Sequence, residues 1–177
     1  MFKINVSGLE HFPEKGPVIV YSNHRSMWDP VIIGCILKRP VYFMAKEELF
    51  KIPVFGLILK HINAFPVKRG MPDRSAIKKG LQVLSENHVL GIFPEGTRSK
   101  TGKLQEPEPG IAMIYLKSKN ASIVPVAIKG NYKFFSNIDV VIGKPLKLEI
   151  FEEKVNSQRL KEISITIFNE VSKLMSL

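Results

Sequence analysis

Val18-Ile19-Val20-Tyr21-Ser22-Asn23-His24-Arg25-Ser26-Met27-Trp28-Asp29-Pro30-Val31-Ile32-Ile33 sets a polar octapeptide, Asn23 to Pro30, between two apolar runs. Val18 to Ser22 has the length and composition of a buried strand. Asp29 followed by Pro30 matches a helix start, with Asp as N-cap and Pro at the first helical position. The stretch therefore predicts strand, loop, helix. His24 and Asp29 stand five positions apart, which on one straight helix would separate them by about 140°. They can face each other only if His24 lies in the loop leaving the strand and Asp29 at the mouth of the helix. A base and its orienting carboxylate need that geometry. Each residue also has a plainer reading, His24 as a surface-loop histidine and Asp29 as a helix cap.

Outward from this stretch, strands and helices alternate. Lys3 to Val6 is a weakly alternating edge strand, and Gly8, Pro13, Gly16 and Pro17 mark the connection into Val18. The helix from Asp29 to Leu37 ends before Arg39-Pro40, and Val41 to Met44 is the next strand. Helix is expected from Glu47 to His61, strand at Ala64 to Val67, and helix again after Asp73. Val89 to Phe93 is a strongly apolar strand followed by a polar loop, Pro94 to Pro109. A helix at Ile111 to Leu116, strands at Ile123 to Ile128, Val140 to Ile142 and Leu146 to Ile150, and a helix at Val155 to Leu174 complete the reading. This pattern predicts an α/β fold with a largely parallel central sheet flanked by helices. The loops after Ser22 and Phe93 leave from the carboxyl ends of strands, where ligands of such sheets gather.

A chain of 177 residues with 45% hydrophobic content suits one domain, expected over residues 1–177. Its formal charge of +10 favours anionic partners. Cys35 is the only cysteine, so an intramolecular disulfide and a multi-thiolate zinc site are both excluded. The N-terminus has no signal-peptide h-region and no stretch reaches the ~20 apolar residues of a membrane span. A reducing cytoplasmic setting, no transmembrane segment and no metal are the expectations. The basic residues are scattered rather than aligned with aromatics, which argues against nucleic acid.

Two further stretches carry chemistry. In Phe93-Pro94-Glu95-Gly96-Thr97-Arg98-Ser99, Gly96 permits a tight or left-handed turn, and Thr97, Arg98 and Ser99 offer donors suited to phosphate oxygens. The alternative is an exposed turn with a Glu95–Arg98 ion pair. The run from Gly96 to Lys103 falls short of a nucleotide P-loop, because its second glycine comes one place late and Leu104 stands where Ser or Thr is required. In Phe65-Pro66-Val67-Lys68-Arg69-Gly70, Arg69 could join Arg98 on one phosphate, or Lys68 and Arg69 could be a solvated pair. His11, His61 and His88 read as structural, and Cys35 and Trp28 as packing residues. There is no Gly-x-Ser-x-Gly, His-Glu-x-x-His or Gly-x-Gly-x-x-Gly motif.

In this order, Asn23 to Asp29, Phe65 to Gly70, Phe93 to Ser99 and Val124-Pro125-Val126-Ala127-Ile128 resemble the four sequence blocks of the glycerolipid acyltransferase family, lysophosphatidate acyltransferases in particular. The His-x4-Asp pattern is common by itself; joined to Phe-Pro-Glu-Gly-Thr-Arg-Ser it is highly specific. The resemblance implies acyl transfer from an acyl-CoA or acyl carrier protein thioester to the free sn-2 hydroxyl of 1-acylglycerol 3-phosphate, giving phosphatidate without a dissociable cofactor. It implies His24 as base, Asp29 as its orienting group, and Glu95, Gly96 and Arg98 with Arg69 around the glycerol phosphate. Pro125 would shape the site. Lys68 departs from the family pattern, where an acidic residue is often found.

A lipid substrate gives the positive charge a use: an anionic membrane surface, with the protein peripheral on the inner face of the cell membrane. Lys46 to Lys60, with Phe50, Ile52, Val54, Phe55, Leu57, Ile58 and Leu59 interleaved with Lys51, is the candidate contact, an ordinary core helix being the competing reading. Two other functions stay open. One is an acyltransferase acting on glycerol 3-phosphate or another lysolipid; the other is a non-catalytic protein that binds anionic lipid.

Overall fold

A computed structural model describes residues 3–68, 73–99, 101, 103–118, 120–133, 135–148 and 155–177. Seven strands form one sheet: β1 (Lys3–Ser7), β2 (Val18–Ser22), β3 (Val41–Lys46), β4 (Ala64–Val67), β5 (Val89–Ile92), β6 (Ser122–Gly130) and β7 (Asn137–Ile142). Their order across the sheet is β1-β7-β6-β2-β5-β3-β4. β2 to β6 run parallel to one another, whereas β7 pairs antiparallel with β6 and carries β1 parallel to itself. The largely parallel expectation holds for the five central and right-hand strands, and the short β6–β7 connection reverses the rest.

Among the described residues five α-helices complete the fold: α1 (Asp29–Ile36), α2 (Pro53–His61), α3 (Arg74–Ser85), α4 (Gly110–Ser118) and α5 (Ser157–Ser176). Every residue of β2 is buried, as a central strand covered on both faces must be. Ile19 and Tyr21 pack with α3, α4 and α5, and Val18 and Val20 pack with Ile32 and Ile33 of α1. No helix among the described residues is long and apolar enough to cross a membrane.

The structure changes several local expectations. The helix expected over Glu47 to His61 is broken into a 3-10 turn, Glu47–Lys51, and α2, because Pro53 suits the first turn of a helix and cannot continue one. Leu146 forms only a bridge to Ile123 rather than opening a strand, and Ile150 lies outside the described residues. Cys35 is exposed, so it is not the packing residue expected, and Trp28 is half-exposed. Asp73 does open its helix as a cap, accepting from the Ser75 and Ala76 amides.

Candidate active site

Registry brings the two polar loops together. β2 lies beside β5 with Tyr21 opposite Ile92, so the chain leaves both strands at one level and Asn23-His24 runs next to Phe93-Pro94-Glu95. On the other side Asn23 extends the β2–β6 ladder with its side chain. Its Nδ2 donates to the Ile128 carbonyl at 2.9 Å and its Oδ1 accepts from the Ile128 amide at 2.8 Å. Buried and satisfied at both ends, this amide fixes where the loop begins.

His24 Nδ1 lies 2.8 Å from Asp29 Oδ2, with the two side chains 12% and 0% exposed. A carboxylate oxygen only accepts, so Nδ1 carries the proton and Nε2 is left with its lone pair. The same Oδ2 accepts from the Arg25 amide at 2.7 Å and the Ser26 amide at 2.8 Å. The Tyr132 hydroxyl donates to Oδ1. Asp29 is thus the first residue of α1 with Trp28 as cap, not the cap itself, and its carboxylate turns back into the loop. Burial, then the charge of Asp29 and the bond to it, raise the Tyr132 phenol above its ordinary range, which keeps the hydroxyl a donor. The His24 ring stacks on Phe93, centroids 4.2 Å apart, and Phe93 stacks on Phe43 of β3 at 5.9 Å.

The loop after β5 holds the His24 backbone. Glu95 Oε1 accepts from the His24 amide at 2.8 Å, Oε2 accepts from the Gln105 amide at 3.0 Å, and the Ser99 amide donates to the His24 carbonyl at 2.9 Å. Among the described residues Glu95 makes no ion pair with Arg98. Burial raises the Glu95 carboxyl, an effect that its two backbone bonds oppose. Gly96 has φ 64°, the left-handed conformation its sequence position suggested.

His24, Asp29 and Glu95 are therefore drawn together, with Gly96 turning the chain beyond them. Both Glu95 oxygens are taken by backbone amides, so Glu95 is placed to hold His24 rather than to meet a phosphate, which its charge would repel. Thr97 and Arg98 are exposed on the same loop. Arg69 lies outside the described residues. Pro125 is buried in β6 between Ile123 and Ala127, and its ring packs at Gly143 near Leu174 of α5. It points to the α5 face, away from the α1 face on which Phe93 and Tyr132 pack. His11 and His61 bond to the Ile142 and Leu57 carbonyls, and His88 stacks on Tyr42. Sequence reasoning passed over Tyr132 and the clamp made by Asn23. Asn23 could have been suspected as a polar residue ending a buried strand, but nothing local marks Tyr132, 103 positions from Asp29. Among the described residues no group of three His, Cys, Asp or Glu could hold a metal.

Fold and site together define an α/β protein with a carboxylate-held histidine at the carboxyl edge of its sheet. The family model described as Acyltransferase matches residues 3–129, and the chain belongs to that family of enzymes. It is 29% identical over 177 residues to the 1-acyl-sn-glycerol-3-phosphate acyltransferase of Bacillus subtilis, covering 97% of this chain and 87% of that one. The enzyme of that name from Borreliella burgdorferi is 33% identical over 135 residues, 75% of this chain and 54% of its own. The chloroplast enzyme of Arabidopsis thaliana is 31% identical over 159 residues, 82% of this chain and 44% of its own. The chain thus spans about half the length of these last two relatives. In fold it is similar to the crystal structure of the 1-acyl-sn-glycerophosphate acyltransferase PlsC from Thermotoga maritima. There the TM-score is 0.74 at 24% identity, over 99% of this chain and 73% of that one.

Proposed function

We propose that the protein is a 1-acyl-sn-glycerol-3-phosphate acyltransferase of phospholipid biosynthesis that uses His24 as general base. The observation that carries the reading is the 2.8 Å contact between His24 Nδ1 and a wholly buried Asp29. With Nδ1 committed to Asp29, Nε2 is the atom that takes the proton from the acceptor hydroxyl. The oxygen attacks the thioester carbonyl carbon, the tetrahedral intermediate collapses with cleavage of the carbon–sulfur bond, and the departing thiolate takes the proton back from His24. No acyl-enzyme forms. Asp29 offsets the positive charge on the imidazolium, while Phe93 fixes the ring plane by stacking. Arg98, exposed beside this site, and Arg69 are the cations for the acceptor phosphate. The thioester, acyl-CoA or acyl carrier protein, is a co-substrate. One domain working from the cytoplasm on the inner face of an anionic membrane fits both the lipid acceptor and the charge of +10.

Thiol release from a thioester in the presence of lysophosphatidate tests the reading. His24→Ala is expected to lower the rate by about 10²–10⁴; full activity in that variant would overturn the role of the imidazole. Arg98→Ala should raise KM for phosphorylated acceptors and spare neutral ones. Glycerol 3-phosphate and other lysolipids belong in the same acceptor panel, because the site residues do not distinguish among phosphorylated hydroxyl compounds.

A further inference from the structure

α2 is apolar on its solvent side as well as on its buried side. Val54, Leu57 and Ile58 occupy positions i, i+3 and i+4, the spacing of the stripe that a surface helix ordinarily buries. Here they are 72%, 59% and 48% exposed, and Ile52, just before the helix, is 50% exposed. The inward side holds Gly56 and Leu59. Gly56 sits so close to the backbone of the preceding 3-10 turn that a Cβ there would lie 2.4 Å from the Phe50 carbonyl oxygen. Single exposed apolar side chains need no explanation, but a contiguous row of four does.

Charge identifies the occupant. Lys51 and Lys60 are exposed at the two ends of the row, and among the described residues neither forms an ion pair. Nearby Glu48 is paired with Lys46 at 3.3 Å. An apolar row framed by cations matches the boundary between acyl chains and anionic head groups. A second copy of this chain would bring like charges together, and protein interfaces are depleted in lysine. α2 also follows the carboxyl end of β3, the edge of the sheet at which His24 stands. Met27 and Trp28, 51% and 48% exposed, lie at that edge too.

We propose that Ile52, Val54, Leu57 and Ile58, with Lys51 and Lys60, form the surface that docks the protein on an anionic bilayer. The proposal deepens the reading of a lipid acyltransferase by assigning the face it presents to lipid. It is tested by binding alone, so its failure is distinguishable from a failure of that reading.

Trp28 is the only tryptophan and serves as the reporter. Titrating the full chain with vesicles of phosphatidylglycerol and phosphatidylcholine should shift its emission to the blue, less so as salt is raised. The triple variant Val54→Ser/Leu57→Ser/Ile58→Ser, altered only at exposed positions, should need at least a hundred-fold more lipid for the same shift, because each methylene withdrawn from the lipid is worth about four-fold and a hundred-fold corresponds to losing only three or four of them. Lys51→Ser/Lys60→Ser should weaken binding to anionic vesicles only. Leu177→Ser, an exposed apolar change at the end of α5, should bind as the parent does. Unchanged affinity in the triple variant would overturn the proposal, as would self-association of the parent through this face without vesicle binding.

Discussion

Asp29 receives four donors, three on Oδ2 from the His24 ring and the Arg25 and Ser26 amides, and one on Oδ1 from Tyr132. At this scale the sequence and the structure agree on the pair and differ on its surroundings. The spacing of His24 and Asp29 required a loop and a helix mouth, and both are present; the Tyr132 donor could not be read, because it arrives from the β6–β7 connection, 103 positions along the chain. Tyr132→Phe removes one hydrogen bond to a buried charged group, worth about 1.5–3 kcal/mol. Urea unfolding should show a loss of that size. Loosening the carboxylate that orients His24 should also lower kcat with little change in KM. A stability loss with kcat unchanged would confine Tyr132 to packing.

Among the elements, the helix starts were legible where a side chain makes its own cap. Asp73 accepts from the Ser75 hydroxyl and from the Lys68, Ser75 and Ala76 amides, which hold its carboxyl at about 2. The folded value lies below the unfolded one, so this stabilisation is present above the ordinary carboxylate range and is lost as pH falls from about 4 toward 2. Asp73→Ala should cost about 1 kcal/mol at neutral pH, and the gap to the parent should close over that acid window in urea titrations. A gap independent of pH would mean that the cap bonds are not the source. α2 was harder to read. Its apolar residues announce a helix, but hydrophobicity alone does not say which side meets the core; the structure buries Gly56 and Leu59 and leaves Val54, Leu57 and Ile58 exposed. In β5 a Cβ on Gly91 would lie 2.3 Å from the Phe43 ring that supports Phe93.

Across the whole molecule, β2 joins the two apolar layers, with alternate residues packed on each. Neither layer can loosen without exposing a strand whose every residue is buried, so the chain is expected to unfold as one unit. Trp28 emission reports the α1 face and far-UV ellipticity reports the whole sheet and its helices. Their urea midpoints should coincide; two separate midpoints would argue for two units. The same sheet order explains the location of the site, because β2 stands between β5 and β6 and collects loops from both.

The sequence by itself determined the alternation of strands and helices, the loop that carries His24, the mouth that carries Asp29, and the glycine turn at Gly96. These are local matters of periodicity, spacing and backbone freedom, set by neighbours within a few positions. Only the tertiary structure decided that Glu95 grips the His24 amide, that Asn23 locks β2 to β6, that Tyr132 closes over Asp29, that Pro125 faces the opposite layer, and that α2 shows its apolar stripe to solvent. The first three depend on strand order and registry, through which residues about 70 to 105 positions apart become neighbours. No local pattern encodes that distance.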